Sequence, residues 1–225
     1  MTPFIHHLLN RPMSGPDIEA RSFEIIDSES PDRCGFSIDQ WEIVRRMIHT
    51  TGDVNLAASV RFSPDAIASG IAALEHGAPI YADSNMIRSG LSLARLRSVH
   101  AGYSADRITC HVADAEVAKE AAANGLPRSL YAIRKAKPQL DGGIVVFGNA
   151  PVALLELNRM IVEEQIRPAL VIGMPVGFVH VVESKDELAT LGVPFIQIEG
   201  RRGGSPLAVA TVHALCTLAG KETKP

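Results

Sequence analysis

Three segments of the chain carry residues suited to holding a large anion. They are Gly148-Asn149-Ala150-Pro151, Gly173-Met174-Pro175-Val176-Gly177 and Glu199-Gly200-Arg201-Arg202-Gly203-Gly204-Ser205. Glycine lets a ligand approach the main chain. A helix that opens after such a turn presents unpaired N–H groups and the positive end of its dipole, and both favour carboxylates or phosphates. Arg201 and Arg202 add direct charge pairing. For any one turn the alternative is a tight connection that binds nothing. Three such turns with two arginines favour a site. They are not a nucleotide fingerprint: no strand is followed by GxGxxG, and no GxxxxGKS or GxxxxGKT loop is present. Ser205 lies in no GxSxG elbow, which removes the case for a serine nucleophile.

His49 is the titratable residue best placed for proton chemistry. It falls in the last turn of a helix that Gly52 would end, after Arg45 and Arg46. An imidazole can donate or accept a proton near neutral pH; a solvated histidine at a helix end is the plainer alternative. His6, His7, His76, His100, His111, His180 and His213 show no metal-site spacing, and the His6-His7 pair reads as solvated. Asp83 follows a strand and reads as a helix cap or a site residue. Arg128 begins a helix after Gly125-Leu126-Pro127 and is either an anion contact or solvated. Glu183-Ser184-Lys185-Asp186 reads as a helix start, with Ser184 as cap and Glu187 three residues on.

The elements that must position these residues change character along the chain. The first part predicts helices from Asp17 to about Ser28, from Ser37 to Thr51, and from Ser63-Pro64-Asp65 to His76. Short apolar runs then alternate with helices: Ala78–Ala82, Arg107–Val112, Gly143–Phe147, Ala169–Ile172 and Pro194–Ile198. A last helix runs from about Pro206 to Leu218, with a frayed tail from Lys221 to Pro225. Continuously apolar strands alternating with helices imply parallel pairing with helices on both faces. The expectation is one α/β domain over 1–225 with an open, doubly wound, five-stranded sheet. In such a sheet ligands bind outside the carboxyl ends of the strands, where the glycine-rich turns fall.

Composition narrows the partners. A formal net charge of −3 gives no broad basic field, so a nucleic-acid-coating role is disfavoured. No stretch is apolar and long enough to span a membrane, and the N-terminus has no secretory pattern. Cys34, Cys110 and Cys216 form no CxxC and read as reduced thiols of a cytoplasmic protein.

The ordered short motifs resemble one family. They are Ile18–Ile26 (with Arg21-Ser22-Phe23), Arg46–Gly52, Phe62-Ser63-Pro64, Gly77–Ile80 and Asp83–Met86. Gly148–Pro151, Gly173–Val179, Glu183–Asp186 and Gly200–Ser205 follow, so that the likeness runs from roughly Asp17 to Leu218. Their combination resembles precorrin-8X methylmutase and its counterpart, cobalt-precorrin-8 methylmutase.

The resemblance implies a flavodoxin-like three-layer α/β/α fold, a homodimer and an isomerase of cobalamin biosynthesis. Such an enzyme shifts a methyl group from carbon eleven to carbon twelve of a corrin precursor, giving hydrogenobyrinate. It implies no separate cofactor and no metal site. His49 corresponds to the family's catalytic histidine, and Ser22 and Arg128 to substrate-binding positions, although Pro127 stands where threonine is common. The matched segments add Arg21, Asp83, Asn149, Gly177, Arg201, Gly203, Gly204 and Ser205 as candidate substrate contacts. Residues 1–14 and 219–225 are expected to be peripheral. The alternatives are the cobalt-containing substrate, a non-catalytic corrinoid carrier on the same fold, and a generic phosphate-binding enzyme.

Overall fold

The computed structural model describes residues 9–222. Two helices lead, α1 (Gly15–Glu29) and α2 (Ile38–Thr51), followed by β1 (Val60–Phe62) and α3 (Ala66–Glu75). Then come β2 (Ile80–Ala82), α4 (Asn85–Gly90), α5 (Leu93–Val99), β3 (Ile108–Thr109), α6 (Ala115–Asn124) and α7 (Arg128–Ala136). The chain ends with β4 (Ile144–Phe147), α8 (Pro151–Glu163), β5 (Leu170–Gly173), α9 (Val181–Leu188), β6 (Phe195–Ile198) and α10 (Ser205–Glu222).

Among the described residues the strands form one six-stranded sheet in the order β1-β6-β5-β4-β2-β3. All pairs are parallel except β1 with β6, where Val60 faces Ile198 and Phe62 faces Ile196. The expected count of five is therefore corrected to six. The missed strand has three residues, too few to show a period, and its identity comes from the edge of β6 that it covers. An antiparallel edge strand on a parallel sheet is a common arrangement. The strand predicted over 107–112 shortens to Ile108–Thr109. Helices α4 and α5, capped by the Ser84 and Ser92 hydroxyls, fill a stretch to which the sequence assigned nothing.

Alternation inside the apolar strands builds two cores. Ile144, Val146, Leu170 and Ile172 face α2, α3 and α10, whereas Val145, Phe147 and Val171 face α7, α8 and α9. Each fully buried Ile or Leu side chain contributes about 1.5–3 kcal/mol. The sheet is thus the middle of three layers. Helix α10 is apolar on several sides because it lies between α2, α5 and the sheet. It continues to Glu222 with Ala219 in the core, so the expected end at Leu218 is too early, as is the peripheral reading from 219. Lys221 and Glu222 are helical, and the rest of the expected fraying, like His6 and His7, lies outside the described residues.

From β2 the chain steps to β3 on one side, then returns past β2 to β4, β5 and β6 on the other. The reversal puts the topological switch point at the carboxyl ends of β2 and β4, beside Asp83 and Gly148. The three glycine-rich turns follow β4, β5 and β6, which are adjacent.

Candidate active site

Helix α2 starts with a complete capping box between Ser37 and Gln40 and stops at Gly52. That fixes His49 in its last turn, exposed, with the Phe23 ring of α1 edge-on at 5.5 Å. Phe23 also receives the Arg45 guanidinium at 4.5 Å and that of Arg46 at 5.3 Å. Arg45 is held by Glu42 and Asp27, and Arg46 by Glu19. Ser22 and His49 line one hollow of about 370 Å³ with Ile25, Ile48 and Val54. The Ser22 hydroxyl donates to the Ile18 carbonyl at 2.7 Å. Arg21 turns elsewhere and pairs with Glu24 in solvent, as adjacent helix positions must diverge.

The turns at the strand ends are laced together. Gly204 N–H donates to the Met174 carbonyl at 2.8 Å, and Gly177 N–H donates to the Arg201 carbonyl at 3.3 Å. Gly203 sits where a side chain would collide with the Met174 carbonyl oxygen. Gly204 holds φ +128, a conformation that L side chains rarely adopt. Beneath them Lys185 of α9 is 0 % exposed and donates to the carbonyls of Gly200 at 2.9 Å and Arg202 at 2.7 Å. Burial pulls its ammonium pKa down to about 8, against the opposing field of Asp186.

Asp83 is 1 % exposed, and its carboxylate accepts the backbone N–H groups of Asn149 at 2.8 Å and Ala150 at 2.7 Å. Burial pushes its pKa up, while those bonds pull it down. The helix cap at this position is Ser84, whose hydroxyl also meets that of Ser205 at 2.9 Å. Asp83 is therefore a brace between the β2 and β4 turns, and the cap reading is corrected. The expectation that every turn offers open N–H groups is corrected in the same way, because those of Asn149, Ala150, Gly177 and Gly204 are already bonded. Ser205 is also buried. Ser184 is an interior residue of α9 bonded to the Val181 carbonyl, and the cap position belongs to His180.

An ion pair ties the end of α2 to the β6 turn. Asp53, just past the end of α2, takes Arg202 of the β6 turn at 2.8 Å. It places His49 at the same end of the sheet as the turns. Both partners are substantially exposed, so the pair itself contributes about 0–1 kcal/mol. Arg202→Ala is expected to move the melting temperature by less than about 4 °C, as calorimetry would read it.

Arg201 lies over the Phe178 ring at 5.3 Å, and that ring is 82 % exposed, next to exposed Val176 and Val179. Arg128 starts α7 in the layer opposite α2. Arg134 of α7 pairs with Glu156 of α8, and Lys137, just beyond α7, with Glu164, so α7 and α8 run in the same direction. Arg128 is then level with the start of α8, beside the turn after β4. The fold brings His49 and Ser22 together, sets Arg201–Ser205 near them, and leaves Arg128 across the sheet. An exposed apolar surface flanked by guanidinium groups suits a broad, flat polyanion, with His49 as the group able to move a proton.

Sequence reasoning missed Lys185, Asp53 and Phe23. For Lys185 a signal existed: it falls on the apolar stripe Val181, Ser184, Lys185 and Leu188, where a lysine has to be buried.

The family described as Precorrin-8X methylmutase matches residues 17–218. The chain is 44% identical over 202 residues to a cobalt-precorrin-8 methylmutase of Priestia megaterium, covering 90% of this chain and 87% of that one. It is 40% identical to a precorrin-8X methylmutase of Pseudomonas aeruginosa, covering 90% and 95%. A solved precorrin-8x methyl mutase from Thermus thermophilus superposes with a TM-score of 0.84 at 44% identity, over 94% of this chain and 99% of that one. With its laced strand-end turns and a histidine at the end of α2, the chain belongs to the precorrin-8X methylmutase family, the isomerases of cobalamin biosynthesis that shift a methyl group within one molecule.

Proposed function

We propose that the chain is a precorrin-8X methylmutase that moves a methyl group from carbon eleven to carbon twelve of ring C, with His49 as its acid. The observation that carries this reading is the Asp53–Arg202 link, which holds the proton-handling helix end beside the anion-suited turns. The rearrangement breaks one carbon–methyl bond and forms another, and nothing enters or leaves. No nucleophile is needed. A proton or hydrogen bond lent by His49 to the ring C nitrogen draws electron density away from the migrating centre and returns when the shift is complete. Ser22 orients the ring or the imidazole from the same hollow. Arg201 and Arg128 take the peripheral carboxylates.

The Priestia megaterium relative favours a second reading, in which the macrocycle already carries cobalt. Incubating purified protein with metal-free and cobalt-containing substrate and following the visible spectrum separates the two. A folded protein that binds corrinoid yet converts neither would leave a carrier, and the methylmutase reading would fail.

We also infer a homodimer. Ile18, Ile25, Met13 and Ile38 are exposed apolar residues on and beside α1 and α2, and Ile25 shares the hollow that holds His49. Light scattering at micromolar concentration should return twice the chain mass. The three unpaired cysteines fit the cytoplasm. Among the described residues no helix is long and apolar enough to cross a membrane.

A further inference from the structure

Lys185 forms no ion pair among the described residues, although its side chain is fully buried. An isolated buried ammonium is unfavourable by several kcal/mol, and an apolar residue of like volume would fill the same space without that penalty. Its neighbours on α9, Val181 and Leu188, do that. Its two acceptors are the carbonyls of Gly200 and Arg202, alternate members of the β6 turn. In a trans peptide the carbonyl and the following N–H point in opposite directions, and no cis bond occurs among the described residues. Drawing those two carbonyls inward therefore aims the N–H groups of Arg201 and Gly203 away from Lys185. Two alternate N–H groups facing one way, over a buried positive charge, form a concavity for an anion.

We propose that Lys185 is a positioning residue for substrate: from beneath the β6 turn it orients the Arg201 and Gly203 N–H groups and supplies the positive charge that a substrate carboxylate on the turn neutralises. This rests on the corrinoid reading above and adds how its carboxylate is held. It makes affinity depend on a proton that never touches the ligand. The carboxylate raises the proton affinity of Lys185, so binding takes up a proton wherever the free protein has begun to lose it. Affinity is full below the pKa of the ligand-free lysine, about 8, and falls as pH rises above it.

The charged and titratable groups around this ammonium are few. Helix α9 contributes Glu183, Asp186, Glu187 and the cap His180, and Glu187 is engaged by Asn158 of α8. The turn contributes Arg201, Arg202 paired with Asp53, and Glu199 paired with Arg61. Removing Lys185 alone separates its contribution from theirs.

The test is calorimetric titration of the full chain with hydrogenobyrinic acid between about pH 7.5 and 9.5, where substrate carboxylates no longer titrate. For the native protein the Kd should rise by about tenfold or more across this range, with proton uptake visible as heats that differ between two buffers of unlike ionisation enthalpy. Lys185→Met should bind about 10–100-fold more weakly at the lower pH, with a flat pH profile and no lysine-linked uptake, while kcat at saturation changes less than KM. Lys185→Gln, which keeps a donor but no charge, should also be flat. A native Kd that does not vary with pH and shows no proton uptake overturns the proposal, and that measurement needs no variant to fold. A folded Lys185→Met that keeps the native slope overturns it too. Native protein that does not bind the corrinoid at all instead overturns the functional reading on which it rests.

Discussion

His49→Ala should lower turnover of a corrin substrate by about 10²–10⁴-fold while the protein keeps its fold and most of its affinity. The magnitude is that of a single positioned proton donor, and the reason for a clean result is structural. The imidazole is exposed and sits at the end of a helix whose stability comes from the buried side chains of Trp41, Val44 and Met47. Its removal forfeits the edge contact with Phe23 and little else. Single-turnover spectroscopy on bound substrate reads the chemical step directly, and affinity for the product reports the anchoring turns separately. A rate within threefold of the native one would remove His49 from the mechanism. His49→Gln offers a useful partner, because a neutral hydrogen-bond donor should recover part of the rate if polarisation rather than full proton transfer is what ring C requires.

Gly203→Ala should be the most damaging single-methyl change at the site. The added carbon meets the Met174 carbonyl oxygen and lies 2.7 Å from that of Pro175, and both are backbone atoms that a rotamer change cannot move aside. Overpacking of this kind costs roughly 1–3 kcal/mol and sometimes more. At about 2–4 °C per kcal/mol for a chain of this size, the melting temperature should fall by roughly 2–12 °C. Prying the β5 and β6 turns apart also breaks the Gly204 to Met174 bond, so corrinoid affinity should fall with stability. Gly15→Ala is the control, since nothing lies within 4 Å of the added carbon and stability should hold or rise slightly. Equal melting temperatures for the two variants would mean that the turns are not packed against each other as described.

The parts of this fold legible in the sequence are those whose cause is local. The Ser37–Gln40 box and Gly52 delimit α2, and a run such as Ile144–Phe147 can only be a buried strand beside a glycine turn. The parts that were not legible depend on distant partners. β1 is too short to carry a period and exists because β6 offers an edge. Asp83 sits where a cap would sit, yet its partners are 66 and 67 residues away. Lys185 looks like one member of a polar helix start until the turn that follows β6 folds over it. The site residues divide likewise: His49 and the glycine turns announce themselves by type and spacing, whereas the Asp53–Arg202 link that brings them together spans 149 residues.

The packing of α10 against α2 sets an order on how this molecule can come into being. The helix bearing His49 leaves the ribosome well before α10, the helix that covers its apolar face. At about 5–20 residues per second, roughly 150 intervening residues leave α2 without its partner for about eight to thirty seconds. During that interval Val44, Met47 and Ile48 are apolar surface on a nascent chain, a binding target for chaperones rather than a finished helix layer. A chain released short of α10 would hold the histidine and all three strand-end turns and still be unable to hold them in place.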